Sequence, residues 1–402
     1  MPTRRVGKVV AAGAGLLALA GGARADADDT LSWLAGMLVR HEDNLFRLPA
    51  GADAAALLGK DTRADDVTVA SVGFRLDKKF AQQRVELEST FNLYRYRNFR
   101  HLDFDGKEYR GAWRWHLTPR VSGNLTADGR QLQSNFADNR TYSGVNTRTV
   151  RNLRLDVDWQ LLGGWYLTGG AAENRSLNSQ AFRAEDSSRY RPIALGAKYV
   201  AESGTTVTAT RRDGSGRFPG RELDAVTLLD TGFRQAESEL LLHWPLSGRS
   251  TLDGRLAHVS RRHDNFAERD YAGNAGSLGY GWLPTGKLRI SAEARRDLGS
   301  YQDTYASYQV YDSLVLAPAW QLDAKTVLRG RLEGGRRDYR GGVVAGAANR
   351  DDRARAAELT LEWTPLRTLL VSATIKQERR ASSFDGLDFR ANSASLLFQF
   401  QI

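Results

Sequence analysis

Residues Arg151-Asn-Leu-Arg-Leu-Asp-Val-Asp-Trp-Gln-Leu161 alternate between apolar and polar side chains. Leu155 and Val157 share one face with the other apolar residues, whereas Arg154 and Asp156 lie on the opposite face. A period of two predicts a β-strand with one apolar and one hydrated face. The segment has 11 residues. Strands of soluble sandwiches usually have about five or six, while a tilted strand that crosses a membrane needs roughly 9–11. The stretch therefore predicts a membrane-spanning strand.

Segments with this alternation recur along the whole chain, and their number carries more weight than any single one. We predict an all-β fold: a single antiparallel up-and-down transmembrane β-barrel of about 18 strands, with 16 as the next possibility, because bacterial single-chain barrels have even strand numbers. Asp312 falls on an apolar face, which predicts a β-bulge or a shifted register in its strand. The predicted strands are 31–43, 65–77, 81–97, 106–117, 120–133, 148–161, 165–176, 188–200, 204–213, 232–245, 250–262, 271–283, 286–298, 306–321, 325–338, 353–364, 368–381 and 389–402.

An aromatic residue on the apolar face precedes a tight turn at intervals of roughly 40 residues, which indicates a repeated hairpin. Trp and Tyr settle at the boundary between membrane and water, so these residues predict an aromatic belt. Because the turns beside them are short, we place this belt at the periplasmic side. The longer connections 45–63, 135–147, 212–231 and 340–350 are then extracellular. The belt residues are Trp115, Trp159, Tyr199, Trp244, Trp282, Trp320 and Trp363.

A second repeat marks the opposite end of the strands with pairs of adjacent arginines. Adjacent residues of a strand face opposite ways, so one arginine of each pair should face the lumen and the other the lipid. A lipid-facing arginine at that height would meet lipopolysaccharide phosphates; a merely solvated rim is the alternative. The pairs are Arg211-Arg212, Arg261-Arg262, Arg295-Arg296, Arg336-Arg337 and Arg379-Arg380.

The N-terminus has the pattern of a secretory signal peptide. Arg4, Arg5 and Lys8 precede an apolar run that is too short to span a bilayer. Ala23-Arg24-Ala25 then supplies the small-x-small pattern of a cleavage site. We therefore predict a signal peptide over residues 1–25, with Ala23 and Ala25 as the cleavage determinants, and a barrel over residues 26–402.

Composition narrows the function classes. The chain has no cysteine, which excludes disulfides and thiol chemistry, and its formal net charge is +10. The six histidines lack metal-ligand spacing, and no glycine-rich nucleotide loop is present. His258 and Ser260 could form part of an outward-facing hydrolase site, although an isolated polar pair is the better interpretation. We expect no enzyme activity, no cofactor, no metal and no nucleic-acid partner.

The polar faces of the strands carry both signs of charge, which indicates a hydrated lumen and argues against strong anion selectivity. About 18 strands enclose an aqueous channel, whereas about eight would be filled by side chains. Planar polar groups and aromatic rings bind sugars, although ordinary filling of the lumen is the better explanation for the tyrosines. The candidate sugar contacts are Tyr94, Tyr96, Arg110, Arg114, Arg154, Tyr311, Arg329 and Arg331.

The C-terminus alternates in the manner that outer-membrane barrels use as a signal for the barrel-assembly machinery. Its apolar face carries Leu396, Phe398, Phe400 and Ile402. Such strands usually end on Phe, and here Phe400 stands two residues before the end. We predict that these residues form the assembly signal.

The stretch His41-Glu-Asp-Asn-Leu-Phe-Arg-Leu-Pro49 resembles the N-terminal signature of exopolysaccharide-operon outer-membrane barrels of the EpsL type, which are β-barrel porins of proteobacteria. The resemblance implies a Gram-negative outer-membrane channel for exopolysaccharide export or assembly, associated with PEP-CTERM/exosortase systems. Its implied partners are the outer membrane with its lipopolysaccharide, a secreted polysaccharide and other export components. Two alternatives are a general diffusion porin for small solutes and a structural or docking barrel of the secretion system.

Overall fold

The computed structural model of the chain describes residues 30–133, 136–137, 144–180, 187–301, 303, 305–343 and 349–402. Eighteen strands lie within these residues, joined with one short helix, α1 (Ala54–Leu58), and two 3-10 turns. The strands are β1 (Leu31–Glu42), β2 (Asp65–Phe80), β3 (Gln83–Tyr96), β4 (Phe104–Thr118), β5 (Val121–Gln133), β6 (Thr147–Leu162), β7 (Trp165–Asn178), β8 (Ser188–Val200), β9 (Thr206–Arg217), β10 (Gly232–Ser247), β11 (Ser250–His263), β12 (Tyr271–Trp282), β13 (Leu288–Ser300), β14 (Tyr308–Gln321), β15 (Thr326–Arg340), β16 (Asp351–Leu366), β17 (Leu369–Ser382) and β18 (Phe389–Gln401).

Each strand pairs antiparallel with its neighbours in the sequence, and β1 pairs with both β2 and β18. The sheet is therefore closed, which removes the exposed edges that an open sheet would present. The closing pair is well formed: Trp33 and Ile402 exchange backbone hydrogen bonds of 2.5 and 3.0 Å. The prediction of an antiparallel barrel with 18 strands is confirmed.

The outer face of the wall is apolar and the inner face is polar, as the alternation predicts. Leu155, Leu195, Leu256 and Ile375 are among the exposed apolar residues of the outer face. All nine tryptophans of the sequence lie on strands and share this face at the end with the short turns. Besides the predicted belt residues they include Trp33, Trp113 and Trp165.

The two ends of the barrel differ in the length of their connections. At the tryptophan end, residues 81–82, 163–164 and 248–249 form two-residue turns between strands. At the other end, connections such as 43–64 and 218–231 are far longer. Part of the predicted extracellular segments 135–147 and 340–350 lies outside the described residues.

The predicted β-bulge or shifted register at Asp312 is wrong. Strand β14 keeps a constant register against β13 and β15, so it has no bulge at this residue. Asp312 remains on the outer face, where its carboxylate binds the guanidinium of Arg296 at 2.6 and 2.7 Å. The ion pair explains why a carboxylate stands in an otherwise apolar pattern. No helix among the described residues is long and apolar enough to cross a membrane.

Candidate functional site: the lumen and its extracellular mouth

The inner wall is lined with ion pairs between residues of the same strand or adjacent strands. Arg154 Nε lies 2.6 Å from Asp156, and Arg329 Nε lies 2.9 Å from Glu362. Arg114 binds Glu86 on the neighbouring strand. These pairs offset most of the lumen charge, as the mixed signs in the sequence indicate.

A further set of predicted lumen residues meets at one carboxylate. Arg331 Nη2 lies 2.8 Å from Glu333, and the Tyr311 hydroxyl donates to the same carboxylate at 3.1 Å. The guanidinium of Arg337 lies 4.9 Å from the centre of the Tyr311 ring. Tyr311 is therefore held by two neighbours, which leaves less of its ring for a solute.

Water reaches this part of the wall. The side chains of Arg154 and Arg329 are 55% and 51% exposed although both point inward. Arg110 is also exposed, and among the described residues no carboxylate lies within ion-pair distance of it. In the register, Arg110 stands opposite Glu88 and Asp128, so carboxylates lie on both neighbouring strands although neither is in direct contact with the guanidinium.

Tyr94 and Tyr96 face the lumen near its extracellular end, where loops cover them. Tyr94 stacks on Phe104 with ring centres 4.3 Å apart. Tyr96 is only 6% exposed. It belongs to a buried apolar group, the mouth cluster, so it does not form an open platform for a sugar. The mouth cluster consists of Leu45, Phe46, Leu48, Val67, Val69, Tyr96, Phe99, Leu102, Phe104 and Phe136.

Residues 41–49 form the inward turn that carries Phe46 into the mouth cluster. Asn44 closes the turn, because its side chain accepts from Leu48 N at 2.9 Å and donates to Leu48 O at 2.8 Å. Arg47 has a left-handed backbone with φ 56°. Its guanidinium binds Glu42 and, at 2.9 Å, Glu378 on the inner wall of β17. The stretch thus anchors a loop across the lumen wall.

A second connection crosses the mouth. Arg380 on β17 donates to the backbone oxygen of Ala137, which follows β5, six strands away round the wall. Asp352 lies 3.9 Å from Arg380 and 2.5 Å from Arg350, and all three side chains are buried. Arg350 in turn donates to the Tyr301 hydroxyl at 3.2 Å. This buried network ties loops from opposite parts of the rim together.

Arg269 holds the loops on the other side of the mouth. Its side chain is fully buried and donates to the backbone oxygens of Thr227 at 2.7 Å and Leu228 at 3.2 Å. It also donates to the oxygens of Asp303 at 2.7 Å and Ala306 at 2.9 Å. One guanidinium therefore joins three connections that are distant in sequence.

Sequence reasoning missed a motif that shapes these loops. A Phe is followed four residues later by Asp, and the Asp is followed immediately by Phe or Tyr. In each copy the Asp carboxylate accepts a hydrogen bond from a backbone N–H at the end of the preceding strand. The donors are Tyr96 at 2.8 Å, His263 at 2.6 Å and Ser382 at 2.7 Å. The repeat of this spacing in three loops was the signal that could have revealed it. The copies are Phe99-Asp103-Phe104, Phe266-Asp270-Tyr271 and Phe384-Asp388-Phe389.

Two fully buried carboxylates support the first two copies. Asp65 accepts from the backbone N–H groups of Asn98 at 2.8 Å and Phe99 at 2.9 Å. Asp230 accepts from Asn265 N at 2.6 Å and Phe266 N at 3.0 Å. Burial raises the pKa of Asp230, but its hydrogen bonds outweigh burial and hold the pKa below its ordinary value.

The remaining predicted residues lie away from the lumen. Leu396, Phe398 and Phe400 line the outer face of β18, with Ile402 at its end. His258 and Ser260 face outward on β11; His258 Nδ1 lies 2.8 Å from Asn274 Oδ1. Among the described residues, no serine hydroxyl lies within hydrogen-bond distance of that ring. Ala23 and Ala25 lie outside the described residues.

Comparison with known proteins gives a fold and no family. No protein-family model matches the sequence, and no curated protein is significantly similar to it. Among solved structures, Pseudomonas aeruginosa OccK2 (OpdF) in complex with glucuronate aligns with a TM-score of 0.50 and 13% identity, over 93% of this chain and 98% of that one. OpdK of the same organism with vanillate aligns with a TM-score of 0.48 and 13% identity, over 92% and 98%. At such identity the likeness concerns the fold alone.

The class of the protein follows from the wall itself. A closed antiparallel barrel with an apolar outer face, an aromatic girdle and a polar interior is the architecture of the bacterial outer membrane. The chain is an outer-membrane β-barrel from a Gram-negative bacterium.

Proposed function

We propose that the protein is a water-filled channel that admits small hydrophilic solutes through the outer membrane. The hydration of the inner wall carries this proposal: inward-facing charges remain about half exposed both at mid-height, as in Arg154, and near the periplasmic end, as in Arg329. Barrels of about 16–18 strands leave an aqueous channel when no domain fills them.

The loops at the mouth set the size of the solute. The turn at 43–49 and the segment at 136–137 fold over the lumen and meet at Phe46, whose ring centre lies 4.6 Å from that of Phe136. Arg47 holds the turn through Glu42 and Glu378, and the buried Arg380 holds Ala137, so the mouth is a fixed constriction. We infer that it favours compact solutes over a folded or branched polymer.

Single-channel recording in planar bilayers tests the proposal. The wild-type protein should give discrete conductance steps. Arg47→Ala should enlarge them, because it frees the turn at 43–49 from Glu42 and Glu378. Arg262→Ala removes the same charge from the exposed outer rim and serves as the matched control, with conductance unchanged. A folded protein without conductance steps, in wild type and Arg47→Ala alike, would support the docking barrel instead.

Exopolysaccharide export is the second candidate, and the resemblance of residues 41–49 supports it. In this alternative the stretch would border the route of the polymer, and Arg110 and Arg114 would contact sugars from the inner wall. Deletion of the gene should then reduce exported polymer while small-solute uptake stays normal. Arg110→Ala with Arg114→Ala should reduce export without unfolding the barrel, since lumen positions tune selectivity. Normal export in both strains would leave the small-solute channel as the better account.

A further inference from the structure

Three arginines stand side by side on the outer face of the barrel. Arg355 of β16 is directly opposite Arg379 of β17, which is directly opposite Arg390 of β18. We call these three residues the outer arginine row. Opposed residues of an antiparallel ladder have Cα atoms about 4.5–5.5 Å apart, so three positive charges lie within roughly 11 Å. Arg353 adds a fourth, two residues farther along β16.

The protein supplies no counter-charge to the row. In the part of the chain that the structure describes, no carboxylate lies within 4.0 Å of the guanidinium nitrogens of Arg355, Arg379 or Arg390. Acidic groups of the surrounding rim bind elsewhere: Asp351 binds Arg336 at 2.5 Å, and Asp43 binds Asn392 at 2.6 Å. Like charges directly opposite each other destabilise a sheet. The row therefore favours an anion from outside the chain.

Two other outward-facing arginines carry their own carboxylate. Arg211 binds Asp213 at 2.9 Å, and Arg296 binds Asp312 at 2.6 Å. The same face of the barrel thus shows how an arginine is neutralised when the protein provides the anion. The outer arginine row departs from that arrangement over three consecutive strands, which distinguishes it from a merely solvated rim.

The height of the row matches a lipid headgroup. Arg355 lies eight residues along β16 from Trp363 of the opposite girdle. At roughly 3.3 Å per residue and a tilt near 40°, this is roughly 20 Å along the membrane normal, close to the upper limit of an apolar band roughly 25 Å tall. Below the row, one layer of the register carries Ala357, Gln377 and Asn392. Beyond that layer the same strands expose Leu359 and Ile375, and then Leu396. The surface is cationic above and apolar below.

We propose that the outer arginine row binds the phosphate groups of the lipid A part of lipopolysaccharide. Guanidinium groups bind phosphate oxygens in a bidentate manner, and three adjacent ones suit a multiply charged headgroup. The acyl chains of the same molecule pack on Leu359, Ile375 and Leu396. The apolar surface on the membrane side of the row selects a lipid-borne phosphate over a free one. This interaction is independent of what passes through the lumen.

Binding to bisphosphorylated lipid A, measured by native mass spectrometry of the detergent-solubilised protein, tests the proposal. The variant combines Arg355→Gln, Arg379→Gln and Arg390→Gln. Near an anionic surface each arginine contributes about fivefold in affinity, so the variant should bind roughly 100-fold more weakly. The matched control combines Arg289→Gln, Arg329→Gln and Arg331→Gln, which removes three lumen charges and should bind lipid A as the wild type does.

Additional binding measurements distinguish between the possible ligands. Dephosphorylated lipid A should bind the wild type about as weakly as bisphosphorylated lipid A binds the triple variant, and inorganic phosphate should not compete. Equal binding of lipid A to wild type and triple variant would overturn the proposal, as would full competition by free phosphate. Self-association of the wild type that the variant lacks, without lipid A binding, would assign the row to a protein contact instead. Should the triple variant lose its heat-modifiable gel mobility, the single Arg379→Gln at the centre of the row replaces it.

Discussion

The buried guanidinium of Arg269 gives the most demanding prediction for the mouth. Replacing Arg269 with Met keeps a long side chain but removes the donor for four backbone oxygens, that of Ala306 buried and the other three partly buried. A buried polar group without a partner costs about 1–3 kcal/mol, and partial burial places three of the four at the lower end, so the gross loss is roughly 4–6 kcal/mol. Leu228, one of the acceptors, also has a strained backbone with φ 52°, which the bond from Arg269 helps to hold.

The loops escape most of this cost by opening, because water then satisfies the freed oxygens. We expect the opening free energy of the loops to fall by at least about 4 kcal/mol, which corresponds to roughly thousandfold faster amide exchange. Asp303 N and Ser307 N are protected by hydrogen bonds of 3.0 and 2.8 Å and should report the change. The barrel wall keeps its ladder, so its own unfolding transition should not move.

Hydrogen–deuterium exchange of the protein in nanodiscs measures both effects. Peptides containing Asp303 and Ser307 should exchange faster in Arg269→Met, while peptides from the middle of β13 and β14 should not. Arg262→Met, a change at an exposed position seven residues earlier, is the control and should exchange like the wild type. If Arg269→Met leaves exchange at Asp303 and Ser307 unchanged, the guanidinium does not hold these loops and the reasoning is wrong.

Three further perturbations test the wall, its orientation and the loop carboxylates. Leu155→Arg, on the lipid face, should destabilise the barrel by roughly 2–4 kcal/mol in denaturant titrations in lipid, whereas Ser291→Arg in the lumen should cost little; equal costs would contradict the assigned faces. On whole cells, an impermeant thiol reagent should label Glu222→Cys and not Thr285→Cys, and the reverse pattern would invert the topology. Because the pKa of Asp230 is lowered in the folded state, its stabilisation is present above the ordinary carboxyl pKa and is lost as pH falls through the folded value. Loop exchange should therefore accelerate on acidification in the wild type, while Asp230→Asn should be fast at every pH; a wild-type rate that tracks only the intrinsic pH dependence would refute this.

The amino-acid sequence determined the wall of this protein almost completely. The direction of a side chain in a strand depends only on whether its position is odd or even, so alternation alone specified the strands and their two faces. Even the predicted strands 204–213 and 271–283, which contain several glycines or small residues, form as β9 and β12. The tryptophan belt followed for the same local reason, since its residues stand on one face beside short turns.

The mouth and the outer arginine row depend on tertiary structure, because both arise from partners that lie far apart in sequence. Arg269 meets oxygens 34–42 residues away, and Arg380 meets Ala137 across 243 residues. Alternation predicted that one arginine of the pair Arg379-Arg380 faces the lipid, but only the register between strands sets Arg355 and Arg390 on either side of Arg379. Likewise Asp312 looked like an error in the pattern until the register placed Arg296 opposite it. Register is a property of turn lengths and of barrel closure taken together, and no local pattern of residues encodes it.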